Sequence, residues 1–219
     1  MFKSIVWSST IDYPNQLATV LFVGDCNWCC EYCYNTNLRR MPSIDFDSQI
    51  LPRLIQRKSF IDHIIISGGE CTTYEQLPKI INELYKNGFT IGIHTNGTNL
   101  NMIKTITPYI SFIGIDIKTF HGEYSAEHII DTIKYIITTG IDYELRTTLY
   151  PPYTKNEDMI QICKLLKSLN IKEYVLQEYT NQLNNKLCSP YSKDEIQDIL
   201  KLCNEYIPTV LKGEITYET

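Results

Sequence analysis

The chain has 219 residues, a formal net charge of −5 at pH 7 and 21% charged residues. This length fits a single domain over residues 1–219 that can bury a substantial core. The negative charge, without any block of lysine and arginine, argues against nucleic acid or an anionic membrane surface as the main partner. No segment approaches the roughly 18 apolar residues of a membrane span. The opening segment MFKSIVWSSTIDYP has no long apolar run, so we expect no signal peptide and a cytoplasmic protein with reduced thiols.

Short apolar runs alternate with segments of helical periodicity, which predicts parallel strands joined by crossover helices. The predicted strands are Leu17 to Val23, His63 to Ser67, Thr90 to Thr95, Ser111 to Ile117, Tyr143 to Leu149 and Tyr174 to Glu178. Helices are predicted over 48–58, 75–87, 124–139, 156–169 and 193–206, with a short helical turn at 100–106. The best marked helix begins at Ser125 and ends at Gly140, and another opens with Ser192 and Glu195 at capping-box spacing.

Six such units are too few for a full eight-stranded barrel, which typically needs about 250 residues. The predicted fold class is therefore α/β, a partial (β/α)6 barrel. In sheets of this kind the chemistry collects at the carboxyl ends of the strands. Polar residues follow the predicted strands at those ends: Cys26 to Cys33, Gly68-Gly69-Glu70, Thr95-Asn96-Gly97, Asp116 with Lys118, Arg146, and Gln177.

Four cysteines lie in the stretch CNWCCEYCYN at residues 26–35. Cys26, Cys30 and Cys33 have the spacing C-x3-C-x2-C, although Cys26, Cys29 and Cys33 is an arithmetically permitted triplet too. Three thiolates on one loop can hold three irons of a 4Fe–4S cluster and leave the fourth iron open. A closed zinc site is the alternative, but it usually needs a second pair of cysteines. The remaining cysteines are isolated: Cys71, Cys163, Cys188 and Cys203.

With Tyr32 in the aromatic position, the cysteine motif resembles the C-x3-C-x-aromatic-C signature of the radical S-adenosylmethionine (SAM) enzymes. The resemblance covers most of the chain: Asp12-Tyr13-Pro14, SGGE at 67–70, HTNGTN at 94–99, GIDIK at 114–118, YELRTTLYPP at 143–152 and YVLQEY at 174–179. These segments together look like the anaerobic ribonucleoside-triphosphate reductase activating proteins, a group of glycyl-radical-enzyme activases. Three positions depart from the pattern of that group. Tyr34 replaces a common His, Cys71 replaces Pro after the GGE motif, and Asn15 replaces Gly after Asp-Tyr-Pro.

The resemblance implies a 4Fe–4S cluster on Cys26, Cys30 and Cys33, with SAM chelating the open iron through its amino and carboxylate groups. One electron, from flavodoxin or ferredoxin, then cleaves SAM to methionine and a 5′-deoxyadenosyl radical that abstracts a hydrogen atom. The cofactors supply this chemistry, and the protein supplies position and shelter. The residues expected to contact SAM are Tyr32, Gly68, Gly69, Glu70, Thr95, Asn96, Asp116, Lys118, Arg146 and Gln177.

Several of these expected contacts have a physical reason. Gly68 and Gly69 let the backbone approach a ligand closely, and Glu70 offers an acceptor for the methionine ammonium group. Asp116 and Lys118 are two residues apart on a strand and therefore share a face, where they are expected to bind the ribose, carboxylate or ammonium of SAM. The alternative for this pair is a mutual structural ion pair.

Five side chains are interpreted individually. The planar fork of Arg146 suits a carboxylate. Asn96 is expected to bond the ribose, although Asn-Gly is also an ordinary turn dipeptide. His94 is interpreted as a satisfied structural residue, and Cys71 as a small buried apolar residue. Trp28 is expected to shield the cluster or to meet a partner.

Three functions compete. The first is an activase whose substrate is a glycine of an anaerobic ribonucleotide reductase or of another glycyl-radical enzyme. The second is a radical SAM enzyme that modifies a small molecule, in the manner of the carboxydeazaguanine synthases. A pocket for that molecule would be lined by Tyr150, Tyr153, Gln177, Tyr179 and Asn181. The third, a non-catalytic iron–sulfur or zinc module, is disfavoured because independent local signals agree on one site.

Overall fold

The structure is a computed structural model that describes residues 1–120, 122, 124–179, 181–183 and 186–213, with the backbone alone for 181–183 and 186–188. The strands are β1 (Phe2–Tyr13), β2 (Gln16–Val23), β3 (His63–Gly68), β4 (Thr90–Thr95), β5 (Phe112–Asp116), β6 (Asp142–Leu149), β7 (Tyr174–Glu178), β8 (Asn181–Leu183), β9 (Lys186–Cys188) and β10 (Thr209–Lys212). The α-helices are α1 (Leu51–Arg57), α2 (Leu77–Lys86), α3 (Leu100–Ile106), α4 (Ile130–Thr139), α5 (Asn156–Ser168) and α6 (Lys193–Asn204).

Eight strands form the main sheet, in the order β1-β2-β3-β4-β5-β6-β7-β10, and β8 pairs with β9 in a separate hairpin. The β1–β2 pair is antiparallel, whereas the β2–β3, β3–β4, β6–β7 and β7–β10 pairs are parallel. All six predicted strands are present, and β4 and β7 have the predicted bounds. The expected count of six is too low, because β1 and β10 extend the strand order at its two ends.

The chain divides into two compact units. The first contains residues 1–114 and 131–143, and the second contains residues 115–130 and 144–219. The strands β5 and β6 each begin in the first unit and end in the second. Whether residues 1–219 behave as a single domain stays a prediction. Within the described residues, no helix combines the length and the apolar character needed to cross a membrane.

The first unit opens with the β1–β2 hairpin. Its turn places Asn15 at a φ of 57°, in the left-handed region that few residues other than glycine adopt. Asparagine tolerates this conformation because its short side chain bonds locally, so the departure from glycine at this position is structurally conservative. The hairpin contributes Tyr13, Ala18 and Val20 to a buried cluster with Ile65 and Phe112.

The core of the first unit is formed by strands that are buried along most of their length. Leu21 in β2, Ile65 in β3 and Ile93 in β4 are fully buried, as expected for parallel strands covered on both faces. The helix α2 adds its apolar side chains Leu77, Ile81 and Leu84. The predicted turn at 100–106 is the helix α3, where the Asn99 side chain accepts a hydrogen bond from Met102 N at 3.1 Å.

In the second unit, α5 and α6 bury Met159, Ile162, Ile196 and Ile199. The predicted capping box of α6 is confirmed, because Ser192 and Glu195 bond each other's backbone N–H groups. The predicted helix start at Ser125 is confirmed too. The Ser125 hydroxyl accepts from Glu127 N in a short 3-10 turn that leads into α4.

Candidate active site

The cysteine loop, residues 26–33, begins three residues after β2 ends. Its four cysteines are thiols outside any disulfide; Cys26, Cys30 and Cys33 are half-buried and Cys29 is exposed. The loop closes on itself, because Cys33 N donates to Cys30 O at 3.2 Å. The backbone N–H of Trp28 donates to Cys26 Sγ at 3.3 Å. The three predicted ligands are thus partly buried, whereas Cys29, which is not a predicted ligand, is exposed.

These donors suit an iron–sulfur cluster. Thiolate is the usual protein ligand of such clusters, and each cysteine ligates a different iron, so the sulfurs need not converge on one point. Among the described residues, no three Cys, His, Asp or Glu side chains converge closely enough to hold a single metal ion. Burial raises the pKa of the Cys26 thiol, and the hydrogen bond from Trp28 acts in the opposite direction. The donor set therefore fits a cluster better than a single zinc ion.

Hydrogen bonds fix both ends of the cysteine loop to the end of β3 and to the segment that follows it. On the side of β2, Asp25 N donates to Tyr74 Oη at 2.8 Å, and Tyr74 Oη donates to Asp25 Oδ2 at 3.0 Å. Glu70 N donates to Asp25 O at 2.8 Å. Beyond the last cysteine, Asn35 Nδ2 donates to Gly68 O at 2.8 Å. Neither Tyr74 nor Asn35 was among the predicted site residues, although Asn35 is the last residue of the stretch CNWCCEYCYN.

A third anchor joins the middle of the loop to the turn after β4. Asn96 Nδ2 donates to Asn27 Oδ1 at 2.8 Å, and Asn27 Nδ2 donates to Thr98 Oγ1 at 2.9 Å. Asn27, Asn96 and Thr98 thus form a closed ring of hydrogen bonds, because Asn96 Oδ1 accepts from Thr98 N at 3.1 Å and from Thr98 Oγ1 at 2.8 Å. The Asn96 amide is therefore engaged within the protein at both of its ends. Its expected bond to the ribose of SAM stays a prediction.

The two glycines of the GGE motif allow two chain segments to approach each other. A Cβ atom on Gly68 would lie less than 3.0 Å from Val23 O, and one on Gly69 less than 3.0 Å from Asp25 O. Gly68 also has a φ of 114°, which L-residues rarely adopt. The close approach that the sequence suggested is thus made to the protein's own backbone, at the entrance to the cysteine loop. An approach to SAM stays a prediction.

Glu70 is only 1% exposed, and its carboxylate accepts hydrogen bonds from other residues of the protein. Its Oε1 accepts from Thr72 N at 3.1 Å, from Thr72 Oγ1 at 2.5 Å and from Thr95 Oγ1 at 2.6 Å. Its Oε2 accepts from Asn96 N at 2.6 Å. Burial raises the pKa of Glu70, and these bonds oppose that shift. Glu70 and Thr95 therefore fix the turn that carries Asn96, while their contact with SAM stays a prediction.

We expect Glu70→Gln to lower the free energy of unfolding by about 1–3 kcal/mol, the usual cost of leaving a buried donor unsatisfied. The glutamine amide can keep its oxygen towards Thr72 and Thr95, but its NH₂ group then faces the N–H of Asn96. Chemical denaturation of the apoprotein measures the change. Glu75→Gln, at an exposed position in the same loop, is the matched control and should change the stability by less than about 0.5 kcal/mol. Equal stability of the two variants would contradict the internal role of Glu70.

The predicted charged residues of the second unit form one ion-paired group. Arg146 Nε contacts Asp116 Oδ1 at 2.5 Å, and Lys118 Nζ contacts Asp116 Oδ2 at 3.2 Å. Glu144 lies 3.8 Å from Arg146 Nη1 and also pairs with Lys212. Asp116 is the last residue of β5 and Lys118 lies two residues beyond it, outside the strand, so the contact makes the two side chains neighbours without testing a shared strand face. The ion pair is the alternative that the sequence left open, and the binding of SAM by these residues stays a prediction.

The remaining predicted residues are placed as follows. Tyr32 is 6% exposed, whereas Tyr34 is 58% exposed beside the last cysteine. His94 is satisfied as expected, because its Nε2 bonds Asp12 O at 3.0 Å. Cys71 is fully buried, and burial raises the pKa of its thiol well above the ordinary value. Gln177, half-buried near the end of β7, pairs in register with Lys212 of β10.

Tyrosines gather in the second unit. The Tyr150 ring lies 5.6 Å from that of Tyr153 and 5.5 Å from that of Tyr179, and Tyr124 lies 5.9 Å from Tyr153. A cavity of about 350 Å³ is lined by Thr119, Gly122, Tyr124, Pro152, Tyr153, Lys155 and Asp158. Of the residues expected around a small-molecule pocket, Tyr150, Tyr153 and Tyr179 are neighbours, but only Tyr153 is among the residues that line this cavity. The Asn181 side chain lies outside the described residues.

A cysteine loop with the spacing C-x3-C-x2-C follows the first parallel strand, and a GGE motif stands at the end of the next strand. These two features define the class. The chain belongs to the radical SAM superfamily, whose signature matches residues 20–171. Members of this superfamily use a 4Fe–4S cluster and SAM, so both predicted cofactors are confirmed for the class.

The similarities extend to individual proteins. A protein of Methanocaldococcus jannaschii, provisionally named a glycyl-radical enzyme activating enzyme, is 28% identical over 235 residues, which cover 96% of this chain and 95% of that protein. The tRNA 4-demethylwyosine synthase of the same organism is 30% identical over 159 residues, 65% of this chain and 49% of that protein. The resemblance to the activase branch is thereby supported over nearly the whole chain.

Solved structures confirm the fold. The crystal structure of Streptococcus suis SuiB bound to SAM matches with a TM-score of 0.66 and 14% identity. The match covers 91% of this chain and 52% of SuiB, so the chain spans about half the length of that protein. This likeness confirms the predicted α/β partial barrel of the radical SAM type, and it concerns the fold alone.

Proposed function

We propose that this protein is an activase that uses SAM to abstract a hydrogen atom from a glycine of an anaerobic ribonucleotide reductase or of another glycyl-radical enzyme. The single observation that carries the proposal is the cysteine loop, whose three half-buried thiols lie between Asp25 and Asn35, two residues that are hydrogen-bonded to the GGE segment. The similarity to a named activating enzyme over 95% of that protein's length supports the choice of substrate class.

Cys26, Cys30 and Cys33 would hold the cluster. When bound, the cluster and SAM supply one-electron reduction and a 5′-deoxyadenosyl radical. The residues of the first unit fix the loop from three directions: Tyr74 holds Asp25, Asn35 holds Gly68, and Asn96 holds Asn27. Such fixation keeps a reactive group in one orientation and excludes competing positions.

The charged group of the second unit would orient SAM. It contains three cations, Lys118, Arg146 and Lys212, and two carboxylates, Asp116 and Glu144. The planar fork of Arg146 suits the carboxylate of a ligand. We place the reaction in the cytoplasm, with flavodoxin or ferredoxin as the electron donor.

Anaerobic reconstitution tests the proposal. The reconstituted protein, reduced with dithionite, should form 5′-deoxyadenosine from SAM, which chromatography measures. After incubation with the anaerobic ribonucleotide reductase of the same source, electron paramagnetic resonance should show a glycyl radical. The control is the Cys26→Ala variant, which should give neither product nor radical. Cleavage of SAM without a glycyl radical would contradict the activase assignment and leave the radical SAM chemistry intact.

A second candidate, the modification of a small molecule or of a nucleotide, is favoured by two observations. The 4-demethylwyosine synthase is 30% identical over part of the chain, and the cavity of about 350 Å³ beside Tyr124 and Tyr153 has the size of a small-molecule site. Tyr153→Ala would distinguish the candidates, because it should impair a small-molecule reaction while the glycyl-radical signal with a protein substrate persists.

A further inference from the structure

Arg39 reaches back to the cysteine loop from the short 3-10 turn Thr36–Arg40. Its Nη2 atom donates to Trp28 O at 2.8 Å and to Cys26 O at 3.3 Å. The two carbonyls flank Asn27, so one guanidinium group holds both sides of the peptide segment that begins with a predicted ligand. The turn that carries Arg39 is itself fixed by the buried side chain of Leu38, whose N–H donates to Asn35 O at 3.0 Å.

The same segment contains the contact between Trp28 N–H and the Cys26 sulfur. Hydrogen bonds to the sulfurs of an iron–sulfur cluster are among the factors that set its reduction potential. They stabilise the reduced form more than the oxidised form, because the reduced cluster carries more negative charge on its sulfurs. A side chain that fixes the Cys26–Trp28 segment therefore controls a bond that matters for electron uptake.

We propose that Arg39 is a positioning residue of the cluster. It holds the carbonyls of Cys26 and Trp28 so that the Trp28 N–H stays directed at the Cys26 sulfur, which retains the cluster and raises its reduction potential. The inference rests on the cluster binding of the proposed function and goes beyond it, because neither the cysteine motif nor the GGE motif includes Arg39. Its neighbour Arg40 is exposed in the same turn and carries the same charge.

Three variants test the inference: Arg39→Met, Arg39→Lys and, as the matched control, Arg40→Met. After anaerobic reconstitution, iron release to a chelator is followed by absorbance, and the midpoint potential is measured by a titration monitored by electron paramagnetic resonance. Arg39→Met should release iron about tenfold faster than wild type, since loss of a residue that supports a metal ligand usually weakens metal binding by about that factor or more. It should also have a lower midpoint potential. Arg40→Met should match wild type in both measurements.

Arg39→Lys keeps a positive charge and N–H donors on a shorter side chain, so its potential and iron release should lie between those of wild type and Arg39→Met. Equal behaviour of Arg39→Met and Arg40→Met would overturn the inference, as would Arg39→Lys values no better than those of Arg39→Met. Thermal unfolding of the apoproteins should be similar in all variants, since Arg39 is exposed. A wild-type protein that assembles no iron–sulfur cluster would refute the proposed function itself.

Discussion

Cys30→Ala is expected to abolish cluster assembly and SAM cleavage, whereas Cys29→Ala should leave both close to wild type. The two cysteines are neighbours, but Cys30 is half-buried and Cys29 is exposed. Substitution of a residue that only supports a metal ligand typically lowers metal affinity or activity by about 10–100-fold. The loss of a ligand itself should therefore reduce activity by at least about 100-fold. Iron and sulfide content, the absorbance of the reconstituted cluster and the yield of 5′-deoxyadenosine measure the outcome.

The pair is its own control, because both substitutions remove one thiol from the same loop. Equal loss in both variants would contradict the assignment of Cys30, and loss in Cys29→Ala alone would assign the ligands to Cys26, Cys29 and Cys33. Retention of a cluster in all single variants would mean that a cysteine can substitute for its neighbour. The Cys29→Ala/Cys30→Ala double variant would then lose the cluster.

The central strands could be predicted from sequence because burial on both faces gives them continuous apolar runs. The run IIIS after His63 is β3, and the predicted bounds of β4 and β7 match the structure. Their order along the chain gave the fold class, since parallel strands need crossover connections that helices supply.

The strands β1 and β10 were missed for different reasons. In β1 most side chains are partly or fully exposed, with Ile11 at 86%, and its pairing with β2 shifts register three times, so no regular alternation marks it. In β10 only four residues are present, and their strand conformation depends on pairing with β7, a partner more than 30 residues away.

The cysteine ligands and the GGE motif could be predicted because their spacing reflects chemistry within one short segment. Arg39, Tyr74 and Asn96 act on the cysteine loop from separate segments, and such hydrogen bonds leave no local pattern in the sequence. The Asp116–Lys118 contact could be predicted only in part. A spacing of two residues predicts a shared face, but not which group the two charges bind.

Gly69→Ala is expected to destabilise the protein strongly. A Cβ atom at this position would overlap Asp25 O and C, which are backbone atoms that no side-chain rotation can move away. Overpacking usually costs about 1–3 kcal/mol, and a clash with backbone should reach at least the upper end of that range. The displaced Asp25 precedes the first cysteine, so the variant should also assemble the cluster poorly. Chemical denaturation of the apoprotein and iron content after reconstitution measure the two effects.

Gly140→Ala is the matched control. Gly140 has a φ of 77°, but an added Cβ atom there would meet nothing within 4 Å, so only the left-handed backbone is penalised. That penalty is about 1–2 kcal/mol, and cluster assembly should be unaffected. If Gly69→Ala were no less stable than Gly140→Ala, the GGE segment could not lie as close to Asp25 as the structure places it. A normal iron content in a destabilised Gly69→Ala protein would mean that this glycine is needed for packing but not for positioning the cysteine loop.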